Sequence, residues 1–203
     1  MNLAGEAGNR PPYIVGIGGT TRAASSTEHA LRYVLGVCEQ SGAETDCFVG
    51  SVLATLPYYA PELPHRSAEA TRLVAALRRA DGIVIASSSY HAGLSGLVKN
   101  ALDYAEDMRA EDPCYLTGRP VGCIATGSGW QGVVTTLKAL RDVVHALRGW
   151  PTPMGAAINT AQPVFDAEGD AVDEKARFQL TTVANELMSF LNRQSVPLVP
   201  VAR

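Results

Sequence analysis

Tyr13-Ile14-Val15-Gly16-Ile17-Gly18-Gly19-Thr20-Thr21-Arg22-Ala23-Ala24-Ser25-Ser26-Thr27 is the stretch whose reading decides the fold. Its first five residues are an apolar run of the kind a parallel strand buried on both faces needs. Past Thr27, Leu31, Val34, Leu35 and Cys38 recur at helical spacing. The segment reads strand, tight loop, helix. The loop holds five hydroxyls, on Thr20, Thr21, Ser25, Ser26 and Thr27, and one guanidinium, Arg22. A helix N-terminus offers free amides and a positive dipole end, so it favours an anion. Hydroxyls beside an arginine fork suit the several oxygens of a phosphate monoester. Ser25 with Glu28 three residues on also spells a helix N-cap. One cap leaves the other hydroxyls and Arg22 without a purpose.

Working outward, the chain alternates strands and helices. A second strand is expected over 44–49, after Gly42 ends the first helix. Residues 50–66 are irregular, with prolines at 57, 61 and 64 and the pair Tyr58-Tyr59, so they form either a functional loop or a rigid surface one. A helix over 67–80 buries Leu73, Val74, Leu77 and Ala80. A third strand, 82–86, is apolar throughout, and a polar loop, 87–93, follows it. Leu94, Leu97, Val98, Ala101, Leu102 and Ala105 mark the next helix. The fourth strand is 120–126, followed by the glycine-rich loop 127–132, a long helix ended by Pro151 and Pro153, a fifth strand at 154–158 and a last helix at 174–192. Such alternation means a parallel sheet covered on both faces. Right-handed crossovers narrow the topology to a flavodoxin-like α/β three-layer sandwich, five parallel strands in the order 2-1-3-4-5. In such a sheet the ligand sits beyond the strand C-termini. There the loops 18–27, 87–93 and 127–132 converge.

The bulk properties agree with one folded unit. The chain has 203 residues, expected as a leader 1–12, a domain 13–192 and a tail 193–203. Seventeen basic and 20 acidic residues leave a net charge of −3, no case for binding nucleic acid. No apolar run reaches the length of a membrane span, and 1–12 lacks the apolar core of a signal peptide. Cys38, Cys47, Cys114 and Cys123 are scattered, as are the four histidines. That argues for reduced core thiols in a cytoplasmic protein, with no metal site.

Several chemistries are excluded. Gly16 and Gly18 start a dinucleotide fingerprint, but Thr21 stands where its third glycine belongs. No Gly-Lys-Ser/Thr triplet follows the strand, so there is no P-loop. Gly93-Leu94-Ser95-Gly96 lacks the final glycine of a hydrolase elbow, because Leu97 is there instead. Lys99 and Asp103, four apart on one helix, are expected to pair with each other or to cap it.

Three motifs in order then resemble the NADPH-dependent FMN reductase family, over about residues 13–192. They are Gly19-Thr20-Thr21-Arg22 with Ser25 and Thr27; Ser89-Tyr90-His91 followed by Leu94-Ser95-Gly96-Leu97-Val98-Lys99-Asn100-Ala101-Leu102-Asp103; and Thr126-Gly127-Ser128-Gly129-Trp130-Gln131-Gly132. The family usually has proline where Ser88 stands and often an acidic residue where Ser89 stands. The resemblance implies FMN, its phosphate on Thr20, Arg22, Ser25 and Thr27. Ser88, Ser89, Tyr90 and His91 would lie along the isoalloxazine ring, and Gly127, Ser128 and Gly129 would approach its other edge. Tyr90 and His91 are the candidates for a direct part in catalysis. It implies NADPH or NADH as donor, a small acceptor such as a flavin or quinone, and a homodimer or homotetramer, for which Trp130, Tyr104 and Met108 are the candidate contacts. The expected activity is ping-pong hydride transfer, since a cofactor carries the chemistry and the protein positions it. A tailoring enzyme on a biosynthetic intermediate and a flavodoxin-like electron carrier are the alternatives.

Overall fold

The computed structural model describes residues 10–63 and 65–194. The leader and tail therefore lie mostly outside the described residues. At their inner ends, Arg10 is bonded to Asp81, and Arg193 belongs to the last helix.

Strand β1, Tyr13–Gly18, is buried along its whole length, as its unbroken apolar run requires. It pairs in parallel with β2, Glu44–Phe48, on one side and with β3, Gly82–Tyr90, on the other. Beyond β3 lies β5, Pro120–Gly127. The fifth position is split into β6, Trp150–Pro151, and β7, Ala156–Asn159, both parallel to β5. The expected order is therefore present, with its last strand in two pieces rather than the single run 154–158. Pro153 lies in the gap, where a residue without an amide cannot continue the ladder. A further strand, β4, Gly93–Leu94, folds back antiparallel on the end of β3.

The helices sort by face. Helices α1, Ser26–Gln40, and α6, Glu174–Gln194, pack on one side against Ile14, Val84, Ala86 and Ile124. On the other side α3, Ala68–Arg79, α4, Gly96–Asp103, and α5, Trp130–Ala146, pack against Val15, Ile17, Ile83, Ile85 and Val121. Neighbouring residues of each strand thus feed opposite cores, the period-two signature of a pleated sheet. Truncating a fully buried contact such as Leu31 to alanine should cost about 2–5 kcal/mol.

Three elements differ from the sequence expectation. A short helix, α2, Gly50–Leu53, opens the region expected to be irregular. The stretch after α4 tightens into a 3-10 helix, Tyr104–Met108, which turns Tyr104 and Met108 into the core at 2% and 1% exposure. Neither residue is available to a second copy of the chain, which removes both as oligomer contacts. Trp130 stays exposed. Finally, 87–90 is strand rather than loop.

Candidate active site

The loop between β1 and α1 is folded by its own polar groups. Thr20 Oγ1 accepts from the Arg22 amide at 3.2 Å and donates to the Arg22 carbonyl at 3.1 Å. Ser25 is the N-cap of α1 and accepts from the Glu28 amide at 3.3 Å. Gly19 and Ala24 take left-handed backbone, φ 106° and 51°. Gly50, at the start of α2, presses on this loop so closely that a Cβ there would stand 1.9 Å from the Thr20 carbonyl oxygen. The backbone amides of residues 23–27 have no hydrogen-bond acceptor among the described residues, and the exposed Arg22 guanidinium has no partner among them. A run of unpaired amides at a helix N-terminus, beside a free guanidinium, is an anion cradle.

The end of β3 forms the second wall. Thr27, in the first turn of α1, bonds the hydroxyl of Ser88 on β3 at 2.9 Å and that of Thr126 on β5 at 2.6 Å. All three are buried, so one hydroxyl cluster ties the three strand-end segments together. Ser87 Oγ accepts from the Ser95 amide at 3.0 Å. Thr136 of α5 places its hydroxyl 2.9 Å from that of Ser89 and 3.2 Å from the Gly93 carbonyl. Tyr90 and Gly93 are register partners, so His91-Ala92 forms a two-residue turn with φ 50° and 61°. Both central residues of a type I′ turn require positive φ, which non-glycine residues adopt at a cost. The turn holds Tyr90 outward, 57% exposed, with His91 exposed beside it.

The third wall is the start of α5. Gly129 is its N-cap and supplies no side-chain acceptor. The amides of Trp130, Gln131 and Gly132 are also unpaired among the described residues, and no acidic residue stands in this turn. Two helix N-termini therefore open on the same sheet edge.

The sequence profile of the NADPH-dependent FMN reductase family matches residues 12–163. The chain belongs to this family. An NAD(P)H-dependent FMN reductase of Pseudomonas aeruginosa is 28% identical over 166 residues, 81% of this chain and 86% of its own length. An NADPH azoreductase of a Bacillus species is 28% identical over 184 residues, 88% of this chain and 92% of its own. The flavoenzyme NAD(P)H:(acceptor) oxidoreductase from Paracoccus denitrificans shares the fold, with a TM-score of 0.72 at 20% identity over 90% of this chain and 98% of that one. As a member of the FMN reductase family the chain is an oxidoreductase enzyme whose cofactor is FMN and whose electron donor is NAD(P)H. The unpaired amides, Arg22 and the polar strand ends are a donor set that fits a phosphorylated flavin.

Within this FMN reductase-family fold the expected site residues divide. Thr27 and Ser88 meet directly. Gly127, Ser128 and Gly129 lie at the end of β5, one strand over. Thr20 and Ser25 engage their own loop backbone, so their hydroxyls shape it. Sequence reasoning quoted Thr126 in the third motif without giving it a role and left out Thr136; the signal of both was a hydroxyl on an otherwise apolar buried surface. Pro57, Tyr59 and Arg66 are braced: Asn100 donates to the Pro57 carbonyl and accepts from the Tyr59 amide, both at 2.9 Å, and Arg66 grips Asp107 through two bonds of 2.8 Å. The Arg66 bond, with help from Tyr59, holds the Asp107 carboxyl below its usual range. Lys99 and Asp103 form the expected ion pair. Burial pushes the Cys38 and Cys123 thiols up to about 12 and Cys47 up to about 11, so none of these is a nucleophile near neutrality.

Proposed function

We propose that the three strand-end segments of this chain form one FMN site that serves donor and acceptor in turn, passing electrons from NADPH or NADH to a free flavin, a quinone or an azo compound. The observation that carries the proposal is the set of amides at 23–27 and the Arg22 guanidinium, all without a partner among the described residues. In this reading Arg22, those amides and the Ser26 hydroxyl hold the phosphate, in a loop shaped by Thr20, Ser25 and Thr27. Backbone of Ser88, Ser89, Tyr90 and His91 would lie along one edge of the ring, and Gly127, Ser128 and Gly129 along the other. FMN, when bound, supplies the two-electron chemistry. The protein's part would be to hold the ring at the strand ends that the buried hydroxyls of Thr27, Ser88 and Thr126 tie together, with the exposed Tyr90 beside it. His91, exposed in the same turn, is the candidate proton donor beside the ring.

Residues 13–192 act as one FMN-binding unit. The chain works in the cytoplasm, which agrees with its free thiols, and no helix among the described residues is long and apolar enough to cross a membrane. It works as a homodimer or homotetramer, with the exposed Trp130 at the contact. The test is anaerobic addition of NADPH to the FMN-loaded protein, followed by steady-state kinetics with a quinone. Bleaching of the flavin absorbance and parallel double-reciprocal lines are expected. A protein that binds FMN but is not bleached by NADPH or NADH would remove the reading.

A further inference from the structure

The segment between β7 and α6, residues 160–173, folds back toward the N-terminal end of α1. It closes on itself: the Val172 amide donates to the Val164 carbonyl at 2.8 Å, the Asp170 amide to Asp166 Oδ1 at 2.8 Å, and Phe165 bridges Ala171. Between this segment and the phosphate loop runs a cleft of ≈ 380 Å³, lined by Ala24, Ser26, Thr160 and Gln162 and spanned by His29 and Phe165. The Phe165 ring stacks on the His29 imidazole, with centroids 5.6 Å apart and planes at 26°. Gly169, at φ 95°, meets the Nδ1 edge of the imidazole, where an added Cβ would come within 2.2 Å. The opposite nitrogen, Nε2, lies 2.9 Å from the Ala24 carbonyl oxygen. A carbonyl only accepts, so Nε2 carries the proton and donates. No other described residue donates to that carbonyl.

Ala24 is the non-glycine residue of the phosphate loop with left-handed backbone, which an L residue rarely adopts. Its twist sets the direction of the amides on either side of it, and a residue held there needs a fixed partner. We infer that His29 is a positioning residue for the phosphate loop: clamped by Phe165 and Gly169, it holds Ala24 left-handed, aims the amides of 23–27 at one point and makes the segment 160–173 a determinant of FMN affinity. The inference rests on the reading of that loop as the FMN phosphate site. It adds a residue from the first turn of α1 and a remote segment that meets the ring walls through one backbone bond, the Thr160 amide to the Gly127 carbonyl at 2.8 Å.

The experiment titrates apoprotein with FMN and with riboflavin, the same ring without the phosphate, by flavin fluorescence. The parent is expected to prefer FMN. Equal binding of the two would overturn the phosphate-loop reading, and the inference with it. Given that preference, His29→Ala and Gly169→Ala should each weaken FMN by about fivefold to tenfold, the worth of one net hydrogen bond. Riboflavin binding should not change. His29→Gln, whose amide nitrogen reaches about as far as Nε2, should restore most of the loss. If His29→Ala keeps the parental ratio of FMN to riboflavin affinity, if both ligands weaken alike, or if His29→Gln is as weak as His29→Ala, the inference fails while the phosphate reading stands. Thermal unfolding of each apoprotein identifies a variant that has lost its fold. Should His29→Ala be one, Gly169→Ala and Phe165→Leu carry the same comparison.

Discussion

The two ends of the sheet handle polar groups in opposite ways. At the end where the strands begin, charge is paired. Arg10 grips Asp81 through bonds of 2.7 and 2.9 Å, and Asp81 also accepts from the Tyr13 amide at 2.8 Å. Arg79 lies 3.9 Å over the Tyr13 ring and pairs with Glu44. Arg119 donates to the carbonyls of Leu77, Arg78 and Tyr115. At the end where the strands finish, hydroxyls bond one another, two helix N-termini are unpaired, and Arg22 has no partner among the described residues. No buried side-chain nitrogen or oxygen among the described residues lacks a hydrogen bond, so this openness lies in backbone amides and in the exposed Arg22 side chain. One edge uses its polar groups for the fold, and the other keeps them available for a ligand.

The sharpest way to break the contrast is Gly50→Ala. It forces backbone against backbone, because the new Cβ would stand 1.9 Å from the Thr20 oxygen. The cost should be about 3 kcal/mol, the upper part of the overpacking range, and FMN affinity should fall with it. Urea unfolding of the apoprotein together with FMN titration checks both; an unchanged midpoint would show that the loop yields freely. Arg22→Ala should act on the ligand alone. FMN should weaken by about 1.5–3 kcal/mol, as for a hydrogen bond to a charged group, while the urea midpoint stays put. Unchanged FMN affinity would take Arg22 out of the site.

How much of this was legible in sequence depended on whether a feature was local. The strand–loop–helix unit around 13–41 was readable because the apolar run, the hydroxyls and the helical spacing are contiguous. The strand order followed from the alternation of elements. The extension of β3 through Ser87, Ser88 and Ser89 was not readable, since serine favours loops and these three are held in strand by β5 and β4. His91-Ala92 lacks the Asn-Gly or Gly signal of a two-residue hairpin. Tyr104 and Met108 were misplaced because the helical period assumed past Asp103 gives way to a 3-10 turn. Thr126, Thr136 and His29 join the site only through tertiary contacts, between residues 47 or more apart or through a loop with no period.

Asp107 tests a paired charge in the 3-10 turn after α4. Its carboxyl sits below its ordinary range because Arg66, then Tyr59, bond the charged form. A depressed pKa adds stability above the unfolded carboxylate value, about 3.9, and that stability is lost as pH falls through the folded value. Asp107→Asn should therefore cost about 1–2 kcal/mol at pH 7, between an exposed pair and a fully desolvated one. The gap between parent and variant should close as pH drops below about 4. Urea midpoints over that window decide it, and a gap independent of pH would show that Asp107 works by packing alone.

The smallest expected effect lies at the edge where the strands begin. Arg10 is half exposed, with 46% of its side chain in solvent, and its partner Asp81 keeps the Tyr13 amide whether or not Arg10 is present. Solvent screens such a pair and ordering a long side chain opposes it, so Arg10→Ala should cost only about 0.2–1 kcal/mol. Added salt should shrink the difference, because the interaction between exposed charges falls with the Debye length. FMN affinity should match the parent, since Arg10 stands before β1 and the phosphate loop follows it, a full strand away. Asp81→Asn should do more harm than Arg10→Ala, because the carboxylate serves two donors and the guanidinium serves one acid. Urea midpoints at low and high salt, with one FMN titration for each variant, read all of this. A loss of FMN affinity in Arg10→Ala without a shift in midpoint would mean that the two edges are coupled through β1, and the division between a folded edge and a ligand edge would no longer hold.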